Sequence, residues 1–299
     1  MSIVTTISKG GLSAKIDSKG AQLTSLALDG REYLWQADPA WWGRSAPVLF
    51  PIVGALPGGE STAEAGTCKM GRHGIARQLE HTLVETADDN SSVTYELTES
   101  EESLKSYPYR FLLRMTYALI GEATLRQTFE VTNTCSVKLP FSVGGHPAFN
   151  VPAPGAAEAG ETFEDYQLEF AAPWSCKVPG LNDEGLFDTS VTLLELDNQS
   201  TLPISHRTFD HDALMFTDVP GSTITLRGTK TGHGVKVDFP GFKYLGVWSA
   251  ANDAPFVALE PWTGHSSDVT DDGVFEHKEN ITILEPGEAY TRAFDITLL

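Results

Sequence analysis

Three short segments set ionisable side chains beside glycine, proline or an aromatic ring: Gly71-Arg72-His73-Gly74-Ile75-Ala76-Arg77, Gly144-Gly145-His146-Pro147-Ala148-Phe149-Asn150 and Leu259-Glu260-Pro261-Trp262. Imidazole and carboxylate are the side chains best suited to moving protons near neutral pH. His146 stands between glycine and proline, a setting that core packing explains poorly. Glu260 sits in the apolar run FVALEPW, where a carboxylate is costly without a partner or a purpose. The other six histidines, His81, His206, His211, His233, His265 and His277, read as surface or structural residues.

Other chemistries lack their signatures. The histidines show no HxH or HExxH spacing and no cysteine pair lies nearby, so no metal site is expected. No GxSxG elbow marks a nucleophilic serine, and no glycine-rich loop of the P-loop or Rossmann kind is present.

The elements that must position these residues read as strands. In the segment 123–132, Ala123, Leu125, Gln127, Phe129 and Val131 alternate with Thr124, Arg126, Thr128, Glu130 and Thr132, the period of a half-buried strand. Val235, Val237 and Phe239 repeat the pattern, as do Ile224 and Leu226, and 290–299 is rich in aromatic and β-branched residues. Further strands are expected near 3–8, 12–16, 21–28, 47–52, 80–86, 92–98, 110–120, 140–146, 191–196, 244–249 and 256–260, separated by Gly, Pro, Asn and Asp clusters. Helical periodicity is confined to a turn or two around 99–106. Segments 57–67 and 153–165 read as long surface loops. Many short strands with few helical turns predict an all-β sandwich or barrel, with one domain over 1–299 as the simplest organisation.

The chain has 299 residues, of which 41% are hydrophobic and 20% charged, enough for a sizeable core. Its formal net charge of −19 argues against nucleic-acid partners and anionic membrane surfaces. An anionic substrate would need local arginines to override that field. Cys68, Cys135 and Cys176 are odd in number and widely spaced, as expected of reduced thiols in a cytoplasmic protein. No signal peptide and no membrane span is expected.

The ordered pieces WWGRSAPVLFPIVG (41–54), GRHGIAR (71–77), GGHPAFN (144–150), HDALMF (211–216), FPGFKYLGVWS (239–249) and FVALEPWTG (256–264) resemble the aldose 1-epimerase (galactose mutarotase-like) superfamily. The likeness is strongest to its bacterial LacX-like branch and weaker to the hexose-6-phosphate mutarotases. It implies a large antiparallel β supersandwich with a sugar site on its concave sheet. By the same resemblance, His146 is the acid that protonates the ring oxygen and Glu260 the base that takes the C1 hydroxyl proton. His73 hydrogen-bonds the sugar, Asp212 holds its hydroxyls, and Arg44 and Arg77 line the site. Arg72 stands where the phosphate-preferring branch often carries Gln, so no ligand role passes to it. From the residues alone, Asp212 reads equally as a turn residue and Arg44 as the partner of a surface acid.

That chemistry suits these residue types. Interconverting the α and β forms of a cyclic hemiacetal needs one acid and one base, expected on opposite sides of the C1–O5 unit. No electron passes to a carrier, so no nicotinamide, flavin or metal is expected. A carboxylate near His146 would favour the imidazolium that donates the proton. Trp248 and Trp262 are candidate surfaces for the C–H face of a pyranose. A non-catalytic sugar-binding or sensing protein on the same fold is the main alternative. A hydrolase would need a second placed carboxylate, and only one is evident.

Overall fold

The computed structural model describes residues 2–299, and its framework is two large antiparallel sheets with smaller ones at their margins. The larger sheet has nine strands, in the spatial order Phe187–Pro203, Tyr166–Leu181, Thr223–Gly228, Gly234–Asp238, Ala289–Leu298, Thr124–Asn133, Phe111–Leu119, Ser92–Thr98 and Thr82–Thr86. The alternation read at 123–132 is realised here: Leu125, Gln127, Phe129 and Val131 are buried, while Arg126 is exposed.

The second sheet carries the residues of interest. Its order is Leu214–Thr217, Tyr244–Trp248, Phe256–Trp262, Gly144–Gly145 and Val48–Leu49, with Ala148–Asn150 also paired to Phe256–Trp262. Every residue of Phe256–Trp262 is buried, because both faces are covered. Val257 and Leu259 join Leu245, Val247, Leu214 and Phe216 in the main core. The alternate positions, Phe256, Ala258, Glu260 and Trp262, face the other way, and the pairings Glu260↔Gly246 and Trp262↔Tyr244 extend that second face across the neighbouring strand. Strand pleating therefore puts a greasy side toward the core and a mixed aromatic and ionisable side toward a cavity.

Several expectations are corrected. The segment 57–67 is not a loop: a turn at Pro57–Gly59 leads into a hairpin of Glu60–Ala63 with Gly66–Lys69. Its Thr62 also bridges Val274, a distant contact that supports the strand despite weak local propensity. The strand read at 191–196 is the middle of a much longer one, Phe187–Pro203, and its partner Tyr166–Leu181 carried no strand signal. Pro173 and Pro179 interrupt that partner, and the register shifts beside both, as expected where proline removes a ladder donor. The run 140–146 divides into Leu139–Phe141 and Gly144–Gly145, which belong to different sheets. The helical stretch at 99–106 contracts to the single turn Ser103–Ser106. The segment 153–165 holds only the short turns Ala157–Ala159 and Phe163–Asp165. Among the described residues no helix is long and apolar enough to cross a membrane.

The strand Phe256–Trp262 depends on the core beneath it. Leu259 is fully buried there, and Leu259→Ala should cost about 2–5 kcal/mol by removing side-chain contacts and leaving a cavity. Urea unfolding would measure it, and a loss well under 1 kcal/mol would mean that this face is not tightly packed.

Candidate active site

A cavity of about 410 Å³ opens on the second face of the six-stranded sheet, and His73, Arg77, His146, Asp212, Trp248, Glu260 and Trp262 all line it. They come from five separate stretches of chain. Arg44 is the exception among the expected residues: it is half-buried and absent from the wall. Its charge still acts on Arg77 and His146.

His146 and Glu260 meet at the centre. Imidazole Nε2 lies 3.3 Å from carboxylate Oε2, and the two residues are 7% and 1% exposed. The contact lacks hydrogen-bond alignment, which leaves Glu260 Oε2 buried without a partner, and the other ring nitrogen, His146 Nδ1, is buried and unpartnered as well. Gly145 precedes His146 and packs directly on Phe294, with 2.6 Å between the ring and the position of an added Cβ. The glycines of GGHP are thus required by close approach of an aromatic ring rather than by turn geometry. On its cavity side the His146 ring stacks on Trp42, with centroids 4.8 Å apart and planes 22° from parallel. Trp248 meets it edge-on at 5.6 Å.

His73 stands edge-on to His146 at 5.7 Å. Its backbone adopts φ +70°, a left-handed conformation uncommon outside glycine but tolerated by histidine and aspartate. The conformation locks His73 to Gly54 twice. The His73 amide donates to the Gly54 carbonyl at 2.7 Å, and the Gly54 amide donates to His73 Nδ1 at 3.1 Å. Because Nδ1 accepts, the ring proton of the neutral imidazole must be on Nε2. Gly54 itself, at φ +72°, lies so close to Ser266 that any side chain would overlap its backbone.

Asp212 shares the left-handed conformation, at φ +73°. Its Oδ1 accepts the Ala213 amide at 2.9 Å and its Oδ2 accepts from Arg72 Nη1 at 3.0 Å. The residue is therefore a turn-former and a cavity carboxylate at once. Arg72 joins it to a third element, since its guanidinium lies against Gly185, in the turn between the two long strands Tyr166–Leu181 and Phe187–Pro203. Arg77 Nη2 donates to the Arg72 carbonyl at 2.5 Å, while Arg77 Nε is buried with no partner.

Electrostatics correct one expectation. The carboxylate was expected to favour imidazolium at His146, yet loss of solvent dominates. Burial, aided by the charges of Arg77, Arg44 and Arg72, pushes His146 down to about 3. Burial also raises Glu260 well above the ordinary carboxylate range, with Asp212 adding to the rise and Arg72 opposing it. His73 is lowered well below its usual value, first by burial and then by His146, Arg77 and Arg72. Both shifts run toward the uncharged forms of His146 and Glu260, which avoids burying an isolated ion. Arg77 is pushed down to about 10 by burial and by the neighbouring Arg44 and Arg72.

Sequence reasoning missed part of the wall: Trp42, Arg72, and Leu181, Gly185 and Phe187 around the long-hairpin turn. Trp42 carried a usable signal, its place in the WWGR segment. The hairpin residues carried none, because only tertiary docking brings them to the mouth. Ser266 makes part of that dock, donating to the Gly185 carbonyl, and Phe187 and Ser267 join their backbones at 3.0 Å. No group of three or more His, Cys, Asp or Glu among the described residues is arranged to hold a metal.

Comparison with known proteins sets this cavity in context. The aldose 1-epimerase family profile matches residues 3–296. The chromosomal LacX protein of Lactococcus lactis subsp. lactis is 38% identical over 296 residues, covering 96% of this chain and 97% of that protein. A galactose mutarotase related enzyme from Lactobacillus acidophilus superposes with TM-score 0.92 at 31% identity, covering 99% of this chain and 97% of the other. A galactose mutarotase-like protein from Lactobacillus casei superposes with TM-score 0.87 at 28% identity, covering 99% and 100%.

The raised proton affinity of Glu260 has a signed effect on stability. It favours the folded state fully below the unfolded value of about 4.3 and progressively less as pH rises through the folded value. The depressed His146 has the opposite slope, lost as pH falls below about 6.5, and to first order it is common to wild type and variant. Glu260→Gln should therefore gain stability relative to wild type between about pH 5 and pH 8. Urea unfolding across that range checks this, and a constant difference would show that the carboxyl does not retain its proton.

Proposed function

The chain belongs to the aldose 1-epimerase family, and we propose that it interconverts the α and β anomers of an aldose by general acid–base ring opening and closure. The observation that carries this reading is the buried approach of His146 to Glu260, 3.3 Å apart in the wall of a cavity. Glu260 takes the proton of the C1 hydroxyl as His146 delivers one to the ring oxygen. The open-chain aldehyde turns about C1–C2, and closure on its other face returns both protons. The two groups lie side by side, 3.3 Å apart, rather than on opposite sides of the C1–O5 unit as expected; because both oxygens are bonded to the same carbon, neighbouring groups can address them from one side. Turnover uses the tautomer in which the shared proton sits on His146 and Glu260 is ionised, a form that burial disfavours, and the catalytic cycle restores it without net charge transfer. Such a pair would be a burden in a protein that only bound sugar.

Around that pair we assign His73 Nε2–H and the Asp212 carboxylate to sugar hydroxyls. The Trp248 ring, half-buried on the cavity wall, is assigned to the C–H face of the pyranose. The sugar we favour carries an anionic substituent. Arg72, Arg77 and the nearby Arg44 face a single paired carboxylate, Asp212, and Arg77 Nε has no partner of its own. A half-buried guanidinium whose Nε is buried without an acceptor is short of a counter-ion, and a phosphate would supply one.

Two measurements test the reading. Freshly dissolved α-D-glucose and its 6-phosphate should relax faster with the protein, by polarimetry for the first and one-dimensional NMR for both. Glu260→Gln and His146→Asn should each lower kcat by about 10²–10⁴-fold; full activity in either variant removes that residue from the mechanism. Arg77→Met should raise KM for the 6-phosphate by about 10–100-fold, the loss of a charged hydrogen bond, and leave the neutral sugar within about twofold. Equal effects on both sugars would refute the anion assignment.

A further inference from the structure

Trp262 does not offer its ring to a ligand. It is only 4% exposed, and it is wedged among Leu49, Val53, Phe187, Met215 and Tyr244. Gly144, its cross-strand partner, presses on one part of the ring, with only 2.7 Å between Cδ1 and the position of an added Cβ. Gly246, on the other neighbouring strand, is closer still to the six-membered ring. These two glycines let the indole lie flat against the sheet and fix its plane, and with those neighbours they leave the ring almost no exposed surface.

What the slot leaves is one polar atom. The indole Nε1–H is buried and has no hydrogen-bond partner, a rare condition that calls for an explanation. Two residues earlier on the same strand and on the same face stands Glu260, whose Oε2 is buried and equally unpartnered. The charged and titratable groups facing that carboxyl are His146 from the GGHP segment, Asp212 from the turn before Leu214–Thr217, and Arg72 from the His73 loop. The neighbouring Tyr244–Trp248 strand presents only Gly246 opposite Glu260.

We propose that the Trp262 indole N–H is a positioning donor that aims and steadies the Glu260 carboxylate, and that the ring makes no stacking contact with sugar. The nearness of that donor already opposes the rise in proton affinity that burial imposes on Glu260. The donor favours the ionised carboxylate needed to accept the C1 hydroxyl proton, so it acts on the base and not on substrate. The kinetic part of this inference rests on the anomer-interconverting role above; the carboxyl titration does not.

The test is Trp262→Phe, with a second protein carrying 3-benzothienylalanine at the position, which keeps the ring shape and loses the N–H. The Glu260 carboxyl carbon is followed by ¹³C NMR against pH, its signal assigned by its loss in Glu260→Gln. In both variants its titration should move upward by about one pH unit, and kcat should fall about tenfold with KM within about twofold. The benzothienyl protein separates the lost donor from any loss of folding in the phenylalanine variant, since its thermal unfolding should match wild type. An unmoved Glu260 titration overturns the proposal, as does a raised KM with unchanged kcat. A wild-type protein that fails to speed mutarotation would sink the functional reading, while the titration would still decide this one.

Discussion

Placing an imidazole against a carboxyl away from water strips solvation from both, and the losses act in opposite senses. The histidine resists gaining a proton and the acid resists losing one. Their proton affinities are thereby moved in opposite directions, each toward the uncharged form. The rest of the cavity is arranged around the consequence. Guanidinium groups disfavour a second proton on the histidines, Asp212 disfavours a bare charge on Glu260, and the aromatic rings of Trp42 and Trp248 keep water from restoring either ion.

The sheet achieves this with residues that are small where the chemistry is large. Gly144, Gly145 and Gly246 sit beside or across from the functional side chains, and each lies under an aromatic ring. A strand normally fills its face with β-branched residues. Here glycine gives up strand propensity so that Trp262 and Phe294 can lie flat against backbone, and those rings in turn fix the segments carrying Glu260 and His146. Positive φ at His73 and Asp212 serves the same end by aiming two short polar segments inward from loops. Strain at such positions persists only where the surroundings over-determine it, as the paired His73–Gly54 hydrogen bonds do.

Much of this was legible in the chain. Alternation exposed the strands because each has one face in the core and one elsewhere, and seven of the eight expected site residues, His73, Arg77, His146, Asp212, Trp248, Glu260 and Trp262, line one cavity. Their ionisable or aromatic character beside glycine and proline was the readable signal. Arg44 is not on the cavity wall, yet its charge reaches Arg77 and His146, since a charge can influence a site without touching it. The long hairpin stayed hidden because its prolines and register shifts erase periodicity, and the hairpin formed by 60–69 because its support comes from Val274, far along the chain. Proton affinities were unreadable for a related reason: they depend on how completely water is removed, which only packing decides. Net charge misleads in the same way, as a strongly acidic chain concentrates arginines where its cavity opens.

The turn that brings Leu181, Gly185 and Phe187 to the mouth is attached to the outermost pair of strands in the nine-stranded sheet. It reaches the cavity through contacts that its own backbone makes with Ser266, Ser267 and the Arg72 side chain. Nothing in the proton-handling pair is built from this hairpin. Mutation can therefore lengthen, shorten or recolour its tip and reshape the mouth without replacing His146 or Glu260, provided the seat of Arg72 against Gly185 is kept. A fold divided in this way lets substrate choice drift across generations at little risk to the chemistry itself.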